Sequence, residues 1–243
     1  MRIRVIDLET TGLAPPAGVC EVAYCDLVSQ GQDAAGNPSN WTFSTTGAGF
    51  IDPQVDIPPD ASAVHHIIAA DVRGAPAFAE IIPWLLDASG EQLVLCAHNC
   101  KFERAWLTDE VTGRLPWICT YKCSLHVWPE APNHQNQTLR YWLNPEGLER
   151  ERAAPAHRAF PDAYVTVFLL RELLRHTSPN ALVDWSSSPA LLPVCRFGKH
   201  SGKRWSEVDS DYLHWILTKD FDEDVVFTAQ YHLRERVKAT TRS

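Results

Sequence analysis

The segment Arg2-Ile3-Arg4-Val5-Ile6-Asp7-Leu8-Glu9 does most to limit what this chain can become. Ile, Val and Leu at this density in a short run predict a strand near the middle of a sheet. Side chains alternate along a strand, so Ile3, Val5, Asp7 and Glu9 share one face. Two carboxylates therefore stand side by side where the apolar pattern predicts more core. Acids that close and partly desolvated repel, and one of them ordinarily takes a proton. A divalent cation removes the conflict and keeps both ionised. An isolated D-x-E also fits a strand end that emerges into solvent, so further ligands must come from elsewhere in the chain.

A chain of 243 residues predicts one large domain, or one domain with a small module. With 45% apolar and 21% charged residues it can bury an ordinary core. No apolar run approaches the ~20 residues that span a bilayer, so no membrane contact is expected. The N-terminus enters a strand at once, without a signal peptide. Seven cysteines is an odd number, which predicts reduced thiols and a cytoplasmic protein. A net charge of -8 argues against a general basic coat for nucleic acid. The charge is uneven, however: residues 195–243 hold nine Lys/Arg against eight Asp/Glu, and the first 194 hold 13 against 22.

Residues 19–28 and 41–46 read as two further strands, joined by Gly, Asn and Pro loops. A short helix is expected after Asp60, and another over 77–87 with Pro83 inside it. Leu93–Ala97 reads as a buried strand, 99–110 as a helix capped by Asn99, and Trp117–Cys119 as a short strand. Helices are expected over 121–127 and 138–143, then from Pro161 to about residue 176. Residues 177–192, with four Ser and two Pro, read as a linker. The expected division is a domain over 1–176, the linker, and a C-terminal module over 193–243. Strands followed by alternating helix and strand predict an α/β fold with a mixed sheet.

Two more places carry candidate ligands. In Ala97-His98-Asn99-Cys100-Lys101-Phe102-Glu103 a strand meets a helix, and Glu103 falls near the carboxyl end of that strand, where α/β sites form. In His157-Arg158-Ala159-Phe160-Pro161-Asp162 the acid lies in the first turn of an apolar helix and the imidazole in the loop entering it. Taken separately, Asp162 is also an ordinary partner for a helix dipole.

Taken in order, D-x-E, H-N-x-x-F-[D/E] and H-x4-D resemble the DnaQ-like, DEDDh-type 3′–5′ exonucleases, in particular their exonuclease X-like branch. The likeness extends to Val22-Ala23, to Ala63-Val64-His65, to Trp117-Ile118-Cys119-Thr120 and to the C-terminal Phe197-Gly198-Lys199-His200-Ser201-Gly202-Lys203. The resemblance implies an RNase H-like mixed sheet flanked by helices, with a small C-terminal α+β module. It implies two Mg²⁺ or Mn²⁺ ions, with Asp7 shared, Glu9 and Asp162 on the first ion and Glu103 on the second. Paired hard cations of this kind clamp the attacking and leaving oxygens of a phosphodiester. His157 would be the general base, a role that suits imidazole near neutral pH. The implied reaction releases nucleoside 5′-monophosphates from the 3′ end of DNA. Thr10, Leu13, His65, Asn99 and Phe102 are the candidates for contact with the terminal nucleotides. Glu103 departs from the family's usual Asp by one methylene.

Arg196, Lys199, Lys203 and Arg204 fall within nine residues, with Phe197 and Trp205 among them. Cations beside aromatic rings suit a sequence-tolerant grip on a strand. A hairpin and helix that merely cover a sheet edge explain the same stretch, and Tyr212, Trp215 and Ile216 at helical spacing fit that account. Three other readings stand beside the main one: an exoribonuclease, a non-catalytic nucleic-acid-binding module on the same fold, and a zinc site built from Cys96, Cys100, Cys119 and Cys123. The zinc reading suffers from C-x3-C spacing, since structural pairs are usually C-x2-C or C-x4-C.

Overall fold

The computed structural model describes residues 1–240. β1 (Arg2–Thr10) lies at the centre of a five-stranded sheet of order β3-β2-β1-β4-β5. β2 (Val19–Gln32) runs antiparallel to β1, and β3 (Pro38–Phe50) runs antiparallel to β2 at one edge. On the other side β4 (Leu93–Ala97) is parallel to β1, and β5 (Trp117–Cys119) is parallel to β4. The sheet is thus mixed, as expected. β2 and β3 run beyond the apolar stretches because their outer ends are exposed ladder, where polar residues sit at no cost.

The alternation along β1 divides two cores. Ile3 and Val5 are fully buried against Ala23, Cys25, Leu27 and helix α6 (Ala159–Leu173). Ile6 and Leu8 face the other way, with Val22, Tyr24, Leu95 and Leu85 of helix α2 (Phe78–Leu85). α6 is buried nearly all round. Its Val167, Leu169, Leu170 and Leu173 are 0% exposed, and each contributes roughly 1.5–3 kcal/mol of apolar burial. The remaining helices are α1 (Pro59–His65), α3 (Asp109–Thr112), α4 (Thr120–Val127), α5 (Asn136–Leu143), α7 (Pro179–Ser187), α8 (Ser210–Ile216) and α9 (Glu223–Thr240). No helix among the described residues is long and apolar enough to cross a membrane.

Three expectations are corrected. Residues 99–110 do not form a helix. Asn99 has φ 67°, so it turns the chain rather than capping it. A 3-10 turn (Glu103–Ala105) and then α3 follow, with Thr108 capping α3. The stretch read as a linker carries α7, which Ser178 caps and Pro179 opens. Leu182 of α7 is 0% exposed, and Ser186 Oγ accepts a hydrogen bond from Cys119 N at the end of β5. Finally, Pro161 is the third residue of α6, not the first.

Residues beyond α7 have a core of their own, built from Cys195, Trp205, Val208, Leu213, Ile216 and Ala229. Trp205 is 1% exposed, so it is interior and offers no stacking surface to a nucleic acid. A bridge between Val194 and Arg204 closes a turn in which Gly198 and Gly202 take φ 60° and 87°, angles that suit glycine. The exposed edge at β5 is covered by α7 rather than by this core.

Candidate active site

Pairing between β1 and β4 ends at Val5 and Cys96. Beyond that point β1 continues to Thr10, so Asp7 and Glu9 stand in a notch past the last shared rung. α6 starts above the notch and brings Asp162 down in its first turn. Asp7, Glu9 and Asp162 are half-buried, and one carboxylate oxygen from each lies within 4.8 Å of the others. Among the described residues no other group of three or more His, Cys, Asp or Glu side chains comes together in this way.

Glu103 lies deeper. It is 3% exposed, its Oε2 has no hydrogen-bond partner, and it stands outside the group of three. Burial, and then the nearby Cys119 and Glu9, push its carboxyl well above the usual range. The same holds for Asp7, through burial and then Glu103, Asp162, Glu9 and Glu21. Glu9 is pushed up to about 8 by burial, Asp162 and Glu21, with Arg158 opposing. Arg158 is committed elsewhere. Its Nε and NH2 donate to the two oxygens of Glu21 at 3.0 and 2.6 Å. The acids are therefore left with a surplus of negative charge. All the donors are carboxylate oxygens and one is orphaned, which fits hard divalent cations.

His157 is exposed at the rim, with φ 60°. Its backbone N donates to Asp162 Oδ2 at 2.7 Å, and Gln137 of α5 donates to Asp162 Oδ1 at 2.8 Å. The H-x4-D spacing thus closes a loop in which the acid holds the backbone of the imidazole-bearing residue. His98 is occupied within the fold. Its Nε2 donates to the His134 carbonyl at 2.9 Å and its Nδ1 lies 2.9 Å from Thr120 Oγ1. Burial lowers it to about 4, so it stays neutral.

A cleft of about 1130 Å³ opens over the acids, and Asp7, Asn99, His157, Asp162 and Arg196 line it. Leu13 is 88% exposed and is not among the residues that line the cleft. Thr10 Oγ1 donates to the Gly12 carbonyl at 2.6 Å and shapes the turn that carries Leu13. Phe102 is half-buried on the second core. His65 is 2% exposed. Its Nδ1 accepts from Ile67 N and its Nε2 faces Cys20 Sγ at 3.8 Å, so it has no surface for a nucleotide. Lys199, Lys203 and Arg204 are exposed but do not line the cleft, and Lys199 lies 3.4 Å from Asp209. The four cysteines weighed for zinc are split by the sheet: Cys96 and Cys123 belong to the α6 core, Cys100 and Cys119 to the α2 core.

Reasoning from sequence missed Glu21, Arg158 and Gln137. Glu21 sits directly opposite Glu9 in the β1–β2 register. Only that register reveals the third acid on this face. Gln137 gave no signal at all, since nothing in its neighbourhood marks it as facing Asp162.

Comparison with known proteins agrees with this geometry. The family model for exonucleases matches residues 5–170. Exodeoxyribonuclease 10 of Escherichia coli strain K12 is 30% identical over 220 residues, 88% of this chain and 90% of that protein. A solved structure of exonuclease X in complex with 5′-overhanging duplex DNA is similar at a TM-score of 0.57 and 27% identity, covering 76% of this chain and 99% of that one. The nuclease domain of 3′hExo, a DEDDh family member bound to rAMP, matches at a TM-score of 0.54 and 13% identity, covering 73% of this chain and 93% of that one, which shows the fold alone. The five-stranded mixed sheet with its flanking helices is the RNase H-like fold of these enzymes. The chain belongs to the DnaQ-like DEDDh family of 3′–5′ exonucleases, which use divalent metal ions.

Proposed function

We propose that this protein removes nucleotides from the 3′ end of DNA, releasing nucleoside 5′-monophosphates, with two Mg²⁺ or Mn²⁺ ions and His157 as general base. The observation that carries the reading is the convergence of Asp7, Glu9 and Asp162 within 4.8 Å, beneath a cleft rimmed by His157. Asp7, Glu9 and Asp162 would hold one ion, and Asp7 with Glu103 the other. Bound there, the ions supply Lewis acidity to the phosphodiester and neutralise the acids that burial otherwise drives to protonate. His157 takes the proton of the attacking water on a ring nitrogen and, being exposed, passes it to solvent. Asp162 has two duties, since Oδ2 also fixes the backbone of His157. Leu13, Asn99 and Phe102 contact the terminal nucleotide, Thr10 sets the turn for Leu13, and Arg196 meets a backbone phosphate. DNA as the substrate is supported by the exodeoxyribonuclease relative, and a 3′ single-stranded end is the form of DNA in this reading.

The test is a 5′-labelled oligomer with Mg²⁺. Stepwise shortening of DNA from the 3′ end is expected. Shortening of RNA alone would replace DNA by RNA as the substrate, and retention of both strands uncut would make the fold a binding module.

A further inference from the structure

Glu21 and Arg158 form the most fully built ion pair near the site, yet neither belongs to the group of three acids. Glu21 is 6% exposed and accepts three hydrogen bonds: two from the Arg158 guanidinium and one from Ala159 N at 2.9 Å. Arg158 and Ala159 directly follow His157, and Ala159 opens α6. The pair therefore ties the His157 loop to β2, in addition to the bond from His157 N to Asp162. Glu21 also pairs with Glu9 across the β1–β2 ladder, so both carboxylates stand on the α6 face. In directly opposed residues the Cβ atoms are only ~4.5–5.5 Å apart, close enough for a freed Glu21 to turn toward the acids.

We infer that Glu21 and Arg158 are a positioning pair with two linked effects: they hold the loop that presents His157, and Arg158 keeps Glu21 from joining Asp7, Glu9 and Asp162 as a further ligand. This rests on the proposed role of the acids and His157. Bidentate Arg–carboxylate geometry gives both strength and a fixed direction, which a Lys at 158 would not reproduce. Partners that orient a metal site commonly change affinity or rate by ~10–100-fold when removed.

The test uses Arg158→Met and Glu21→Gln in the full chain, with Mn²⁺ affinity measured calorimetrically and kcat and KM measured on single-stranded DNA. Arg158→Met frees the Glu21 carboxylate, so Mn²⁺ is expected to bind several-fold tighter while kcat falls ~10–100-fold at unchanged KM. Glu21→Gln leaves an uncompensated guanidinium beside Glu9, so Mn²⁺ is expected to bind weaker. Gln still accepts from Ala159 N, and the loss in kcat is expected to be smaller. The double variant returns Mn²⁺ affinity toward wild type and keeps the low kcat. A role in folding alone moves melting temperature without opposite shifts in Mn²⁺ affinity. Equal shifts in both single variants would overturn the inference, as would a raised KM with unchanged kcat in Arg158→Met. Should Arg158→Met not fold, weakened Mn²⁺ binding in Glu21→Gln still decides the charge argument, and unchanged affinity there overturns it. The Mn²⁺ readings need no turnover. A wild type that releases no nucleotide therefore defeats the proposed function alone, and an active wild type with unmoved variants defeats this inference alone.

Discussion

β1 buries charge on both faces, and the two faces handle it in opposite ways. Toward α2, Arg4 donates to Asp26 through Nε at 2.9 Å and NH2 at 2.8 Å, gives its NH1 to the Leu85 carbonyl at 2.6 Å, and lies over the Tyr24 ring. Arg2 adds another bond to Asp26 at 2.6 Å, and Thr45 Oγ1 a further one. Charge there is balanced from within the chain. Toward α6, Asp7, Glu9, Asp162 and Glu103 gather with no guanidinium of their own. The same strand thus separates charge that serves the fold from charge that awaits something from outside. A buried carboxylate matched by its own chain marks structure, and one left unmatched marks a site.

Substitution on the two faces should break this comparison most sharply. Asp7→Ala is expected to lower nucleotide release by roughly 10³-fold or more. In the metal-free protein its melting temperature should hold or rise, since repulsion is relieved. Asp26→Ala strands Arg4, which is 4% exposed, and leaves Arg2 with Glu91 as its carboxylate partner. That is expected to cost ~3–5 kcal/mol and, in a chain this long, to lower the melting temperature by roughly 10 °C. Calorimetric melting of both variants without metal checks the contrast, and a destabilised Asp7→Ala would collapse it.

His157→Ala is expected to lower kcat by ~10²–10⁴. Mn²⁺ binding should stay near wild type, because the backbone of residue 157, not its ring, bonds Asp162. Calorimetry that shows lost Mn²⁺ binding would make His157 a ligand instead.

The pH dependence of stability sharpens the comparison further. Glu9 holds its proton to about 8 in the folded chain, against 4.5 for an ordinary glutamate. Between those values the folded protein binds a proton that the unfolded chain has released. Stability contributed by that proton is full below about 4.5 and is lost as pH rises through about 8. Asp7 and Glu103 shift in the same direction. With a chelator present, the melting temperature should therefore fall by several degrees from pH 5 to 8, and millimolar Mg²⁺ should cancel the fall. A metal-free protein as stable at pH 8 as at pH 5 would contradict the unmatched-charge account.

The smallest effect concerns the cleft wall. Arg196→Ala should make the salt slope of single-strand binding shallower by ~0.7, whereas Lys203→Ala, outside the cleft lining, should leave the slope as it is. Removing residues 193–243 should spare cleavage of short strands and weaken long ones. It also strips Thr228 from Leu192 N and Asp224 from Ala190 N, so some loss of stability accompanies it.

Much of this was legible in the sequence for a physical reason: period-two alternation along β1 placed Asp7 and Glu9 on the buried face directly. The H-x4-D loop was legible too, because Asp162 and His157 are near neighbours in the chain. What stayed hidden depended on distant partners. Glu21 and Arg158 are 137 residues apart, and only the packing of α6 against β2 brings them together. Phe102 and Trp106, four apart, imitated a helical face, while the positive φ at Asn99 turned the segment aside. The serines of 177–192 outweighed the Ser178-Pro179 start signal, although Leu182 and Ser186 bind α7 to β5 and α4. Trp205 looked like a stacking residue because its cationic neighbours were visible and its core was not.

The early end of the β1–β4 ladder at Val5 has a consequence for how such a protein can change. Residues 7 and 9 project from a stretch of strand that shares no rung with β4. The sheet order does not depend on which ligands those positions carry. Ligand identity and scaffold are separable inheritances here. An exchange of the acid at position 7 or 9 is expected to change which ion is held while the order of the strands stays as it is.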